Sequence, residues 1–72
     1  METTSIDSAE RLGEIIRRRR RQLGLTQTEL SELSNTNLRL VSELERGKPT
    51  ARLQNVMRVL QTLGIELRAE IR

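Results

Sequence analysis

Leu12, Ile15, Ile16 and Leu23 recur at helical intervals and predict a first helix running to about Leu23. Asp7-Ser8-Ala9-Glu10 has capping-box spacing, an acceptor at Asp7 and Glu10 three residues on, so the helix is expected to open there. Gly24 then closes it, because glycine enters the left-handed region without a Cβ clash. Thr26-Gln27-Thr28-Glu29 repeats the capping box and opens a second helix with Leu30 and Leu33 inward. Ser34-Asn35-Thr36-Asn37 is too polar to continue it. Asn35 tolerates a left-handed turn, and Asn37 caps a third helix from Leu38 to about Arg46, stopped by Gly47 with Pro49 behind. Thr50 is expected to cap a fourth, with Leu53, Val56, Met57, Leu60 and Leu63 as its apolar stripe and Gly64 as its end.

The last eight residues change period. Ile65, Leu67, Ala69 and Ile71 alternate strictly with charged residues, the pattern of a strand. A lone strand leaves its backbone N–H and C=O groups unpaired, so its economical partner is the same strand of a second copy across a two-fold axis. A short fifth helix or a frayed tail is the alternative. Residues 1–6 are polar, aperiodic and terminal, and read as a disordered tail. The organisation expected is therefore tail 1–6, helical domain 7–64 and dimerisation strand 65–72. Two short capped helices separated by four polar residues, with a helix on either side, form a helix-turn-helix in an all-α, four-helix bundle.

Composition narrows what such a bundle does. The chain has 72 residues, 13 Lys+Arg against 10 Asp+Glu, and no Cys, His, Phe, Tyr or Trp. Disulfides, thiolate or imidazole metal sites, Cys or His nucleophiles and a His base are thereby excluded, and no cofactor is expected. A domain this small leaves little depth for a desolvated pocket, so an enzyme has almost no support. No apolar run approaches a membrane span, and the first residues carry no signal-peptide pattern. The expectation is a basic, cytoplasmic binding module. Its aromatic-free core is small for independent stability, which is a second reason to expect a homodimer.

At Leu25-Thr26-Gln27-Thr28-Glu29-Leu30 and Ser42-Glu43-Leu44-Glu45-Arg46-Gly47-Lys48-Pro49 the chain resembles the lambda-repressor-like, XRE-type DNA-binding domains. Within them it looks most like the HipB-type antitoxins, through Ile16-Arg17-Arg18-Arg19-Arg20, the Glu45–Thr50 turn and Arg58-Val59-Leu60-Gln61-Thr62-Leu63-Gly64. The likeness covers about Leu12 to Leu67. It departs at Asn35, where the family's turn usually has Gly, and at Leu38, where small polar residues are common.

The resemblance implies that Asn37, Leu38, Arg39, Ser42 and Glu43 face the major groove, and that Gln27, with Thr26 beside it at the helix start, meets a phosphate. On the wheel Val41 and Leu44 point inward, leaving Arg39, Ser42, Glu43 and Arg46 outward. Arg39 either reads guanine O6/N7 or pairs with Glu43 one turn on. Glu43 either accepts from cytosine N4 or is neutralised by Arg39 or Arg46. Leu38 either covers a thymine methyl or packs under the turn. Arg46 and Lys48 are candidate phosphate anchors. Five consecutive arginines, Arg17 to Arg21, cannot share one helix face. The wheel puts Arg19 on the apolar stripe, whereas related repressors pair the arginine matching Arg20 with the glutamate matching Glu45. On that resemblance a structural Arg20–Glu45 salt bridge is expected.

These readings imply a dimeric repressor on a palindromic double-stranded operator. The HipB likeness adds an antitoxin that binds and neutralises a HipA-like Ser/Thr kinase and represses the shared operon. The competing class is a protein-interaction adaptor of the same fold, or a stand-alone regulator without a toxin.

Overall fold

The computed structural model describes residues 3–72, so Met1 and Glu2 of the expected tail lie outside the described residues. Four helices follow one another: α1 (Ala9–Gln22), α2 (Gln27–Leu33), α3 (Leu38–Glu45) and α4 (Leu53–Thr62). Their starts show which polar side chain wins each cap. Ser8, not Asp7, caps α1: its Oγ accepts from the Arg11 N–H at 3.0 Å, so Glu10 falls one position short of a capping box. At α2 the box closes as spaced, the Glu29 N–H donating to Thr26 Oγ1 at 3.0 Å and the Thr26 N–H to Glu29 Oε1 at 2.9 Å. Asn37 Oδ1 accepts from the Leu40 N–H at 2.8 Å and opens α3. Thr50 caps nothing. Residues 49–51 turn after the proline, and α4 opens behind Arg52 with no side-chain acceptor.

All four helices end the same way. The residue after each cap, Gly24, Asn35, Gly47 or Gly64, has positive φ. In α3, for example, the Gly47 N–H bonds the Leu44 carbonyl and the Lys48 N–H bonds the Glu43 carbonyl, both at 3.0 Å. This Schellman closure satisfies the last carbonyls and reverses the chain within two residues.

The core is aliphatic: Ile16, Leu30, Val41, Leu44, Val56, Val59, Leu60 and Leu63, drawn from every helix or its cap. On α4 the buried stripe is rotated from the expected one. Val59 is fully buried, while Leu53 and Met57 are exposed. Both stripes share Val56, Leu60 and Leu63, and only packing against the other helices chooses between them. Leu33 is likewise exposed at the end of α2, and Ser34 takes the buried place beside it. Ser34 donates to the Leu30 carbonyl at 2.7 Å and lies 2.8 Å from the Thr36 hydroxyl, so its burial leaves no polar atom unpaired.

Gly13 sets how closely α1 approaches α3. A Cβ there would strike the carbonyl oxygens of Leu44 and Glu45, the latter at 2.9 Å. Only a glycine lets these two backbones meet.

Beyond Gly64 the Ile65 N–H bonds the Leu60 carbonyl at 2.9 Å and its side chain packs on the core. Residues 65–72 form neither a fifth helix nor a strand, and no strand occurs among the described residues. A ladder needs a second strand, and the described residues hold none. Leu67, Ala69 and Ile71 are exposed. No helix is long and apolar enough to cross a membrane among the described residues.

Candidate nucleic-acid interface

The helix-turn-helix is held by one carboxylate. Arg20 Nε donates to Glu45 Oε2 at 2.6 Å and Nη2 to Oε1 at 2.9 Å, a two-pronged pair between the last turns of α1 and α3. A third Arg20 nitrogen, Nη1, reaches the Leu25 carbonyl at 2.8 Å. Gln27 Nε2 completes the set by donating to Glu45 Oε1 at 3.2 Å. The two charged side chains are 11% and 3% exposed, so neither has water as a substitute partner. Glu45's hydrogen bond, aided by its charge, holds the Arg20 pKa above its ordinary value against the opposing effect of burial. Helices α1, α2 and α3 are thus tied at one point.

Arg19 does something the sequence did not reveal. Its Nε donates to the Leu63 carbonyl at 2.9 Å, placing a cation on the C-terminal end of α4. Both the orphan carbonyl and the helix dipole favour it there. Of the two candidates, Arg20 is the buried one and Arg19 is half-buried.

With α3 fixed, its outer face is defined. Asn37, Leu38 and Arg39 are exposed at its start, and Ser42 and Glu43 are half-buried one turn on. Leu38 therefore does not pack under the turn. Arg39 Nε donates to Glu43 Oε1 at 2.8 Å, while the Arg39 side chain stays 88% exposed. This bond holds the Glu43 pKa below its ordinary value, with Lys48 and Arg46 adding smaller attraction. In the free chain the carboxylate is thus neutralised from within, chiefly by Arg39. Breaking that exposed pair costs little, so Arg39 is available to a base edge.

One flank carries the positive charge. Arg46 caps α3, is exposed and sends its Nε toward the Ser42 carbonyl at 3.4 Å. Lys48 is exposed, its backbone pinned by the bond to Glu43. Across the turn, Thr26 is exposed and spends its hydroxyl on the cap of α2. Gln27 is half-buried, and its amide is already engaged by Glu45. The arrangement is a solvated helix face of mixed chemistry between a basic shoulder, Arg46 and Lys48, and a neutral polar one, Thr26 and Gln27, on a rigid support. Such a face suits the positioning and reading of a polyanion.

That geometry defines a class, the helix-turn-helix DNA-binding proteins. A helix-turn-helix family model matches residues 16–69, and the chain belongs to this family of XRE-type, non-enzymatic transcriptional regulators. It is 41% identical over 56 residues to an uncharacterized HTH-type transcriptional regulator of Sinorhizobium fredii, y4mF, covering 78% of this chain and 74% of that one. Among solved structures, a HipB complex with an O4 20mer superposes with a TM-score of 0.85 at 23% identity, over 96% of this chain and 97% of the other. A HipA-HipB-O2-O3 complex gives 0.86 at 23%, over 96% and 97%. The restriction-modification controller protein C.AhdI from Aeromonas hydrophila gives 0.72 at 31% identity, over 81% and 84%.

Proposed function

We propose that two copies of this chain form a sequence-specific repressor of a palindromic operator, and that it serves as the HipB-type antitoxin to a HipA-like Ser/Thr kinase. The observation that carries the DNA reading is the outer face of α3. Leu38 and Arg39 are exposed at a capped helix start, with Arg46 and Lys48 behind them. In this reading Leu38 covers a thymine methyl and Arg39 reads a guanine, exchanging Glu43 for the base edge. Asn37, Ser42 and Glu43 contribute the remaining contacts. Gln27 and Thr26 approach a phosphate at the α2 start, and Arg46 and Lys48 hold the backbone on the other side.

Dimerisation rests on the exposed, alternating 65–72 segment. Ile65 is anchored on the core, and Leu67 and Ile71 are left 52% and 95% exposed. Pairing with the same segment of a second copy covers them, satisfies the free backbone groups and sets the reading helices about one DNA turn apart. Such a protein works in the cytoplasm, on the chromosome.

A salt titration of binding to operator-like and random duplexes, together with sedimentation, tests the core of this proposal. A dimer with a large specificity ratio supports it. A ratio near one, or a lone protomer with residues 65–72 mobile, overturns it. The antitoxin role is tested separately by co-expression with the product of the neighbouring gene. A kinase-like product that this chain binds and silences supports the role. The second reading, a regulator without a toxin partner, draws on the likeness to C.AhdI, a restriction-modification controller protein, at 31% identity against 23% for the HipB complexes but over a smaller share of this chain, 81% against 96%.

A further inference from the structure

The arginine run is not used up by the fold. Arg20 is buried in the Glu45 bridge and Arg19 caps α4, but the side chains of Arg17 and Arg21 are exposed and bond to no described residue. Glu14, which precedes Arg17 by three residues, is taken by Arg11 at 3.0 Å. Two unpaired like charges one turn apart oppose helix formation. The helix dipole compensates Arg21 in the last turn of α1, but its effect does not extend to Arg17.

Their position gives them a use. Glu10, Gly13, Arg17 and Arg21 follow one edge of α1 at spacings of three and four residues. At the foot of that edge a Cβ on Gly47 would lie 2.9 Å from the Glu10 Cα, and Gly13 abuts the Leu44 and Glu45 carbonyls. This edge therefore borders the end of α3 from which Arg46 and Lys48 project. Arg17 and Arg21 are about 6 Å apart along the axis, close enough for both to reach the backbone of one DNA strand.

We infer that Arg17 and Arg21 are DNA-backbone contacts, extending the phosphate track of Arg46 and Lys48 onto α1 and over the duplex flanking the bases that α3 reads. The inference rests on the DNA-binding reading above. Phosphate contacts position without carrying sequence, so these two residues add affinity and salt dependence and leave base preference alone.

Titrating salt against binding of the wild-type protein and the R17Q/R21Q variant, on operator and random duplexes, tests this. The expected result is weaker binding to both duplexes, an unchanged ratio between them, and a log–log slope shallower by about 0.9 for each phosphate no longer neutralised. R17K/R21K restores the slope, since a phosphate needs only the charge, and a thermal melt shows that all three proteins are folded alike. A slope equal to wild type in folded R17Q/R21Q overturns the inference while leaving the DNA reading intact. Loss of the ratio also overturns it, by making these residues readers of sequence. Should the wild type itself bind no duplex, the DNA reading fails first and this inference with it.

Discussion

Removing the Glu45 carboxylate is the sharpest perturbation the structure offers. In Glu45→Ala the Arg20 guanidinium, in a residue 9% exposed, keeps only the Leu25 carbonyl, and the Gln27 amide loses its acceptor. Breaking one side of a buried ion pair costs about 3–5 kcal/mol, because the survivor stays desolvated and uncompensated. In a domain of this size each kcal/mol moves the midpoint by about 4–8 °C, so a drop of at least about 12 °C is expected in a thermal melt followed by circular dichroism. Replacing both partners by apolar residues, Arg20→Met with Glu45→Leu, removes the stranded charge and is expected to recover part of the loss. Recovery stays incomplete because the Leu25 carbonyl and the Gln27 amide still lack partners, at about 1–3 kcal/mol for each one left dry. The pH dependence has a definite sign. Arg20's folded pKa is raised, so the pair's contribution is complete below the unfolded arginine value and is lost only as pH rises through the higher folded one. Melts between about pH 7 and 10 are therefore expected to show no loss from this pair. A Glu45→Ala change below about 0.5 kcal/mol, the size of an ordinary surface substitution, would refute the reasoning.

Gly13→Ala is expected to destabilise the fold by about 1–3 kcal/mol or more, since the obstacle is backbone carbonyl and α1 must withdraw from α3. Urea unfolding measures it, and a gain in stability from the better helix former would show the approach to be looser. The capping box makes Glu29 acid-sensitive. Its folded pKa is lowered, first by its hydrogen bond to the Thr26 backbone, so its contribution is present above the unfolded glutamate value and disappears as pH falls through the folded one. Glu29→Gln should flatten the melting temperature against pH below about pH 4.3, and an identical acid limb in both proteins would count against the box. Lys48→Ala is expected to weaken binding to all duplexes alike, with a salt slope shallower by about 0.9 for the one phosphate it neutralises; a change in sequence preference would remove Lys48 from the phosphate set.

Much of this fold could be read from punctuation. Thr26 and Glu29 are spaced for one cap, and Asn37 is the only strong acceptor directly before Leu38, so α2 and α3 start where the residues say. Asp7 and Ser8 are adjacent acceptors, and the choice between them depends on where the chain enters the bundle. Thr50 follows Pro49, whose ring favours a turn, and the turn displaces the start of α4 to Leu53. The face of α4 was ambiguous for a related reason: Val59 and the pair Leu53 and Met57 fit the same spacing from opposite sides. Gly13 carried a signal that could have been used. A glycine inside a helix, on the same face as Ile16 and Arg20, costs about 0.5–1 kcal/mol relative to alanine and calls for a neighbour too close for a Cβ. The Arg19 cap left no such trace, because its acceptor is a main-chain carbonyl distant in sequence. Residues 65–72 carry a strong period of two, but the described residues hold no strand for them to pair with, so the pattern alone could not say whether they form a ladder.

The arginine run shows why side-chain type matters as much as charge. Arg20 spends three separate nitrogens on two partners lying in different directions, a fork that a lysine ammonium does not reproduce. Arg19 uses one nitrogen, and the role proposed for Arg17 and Arg21 needs only their charge, so lysine should serve at the latter two and not at Arg20. The bridge also joins stability to recognition. Glu45 is the last residue of α3 and Gln27 the first of α2, the two helices that the proposed function places on bases and phosphates. Losing the carboxylate frees both ends of the recognition unit at once. Glu45→Ala should therefore bind operator more weakly even at temperatures where it is fully folded, whereas an equally destabilising change confined to the far side of α4 should not. Equal operator affinity for the two folded variants would reduce the bridge to a stabilising contact alone.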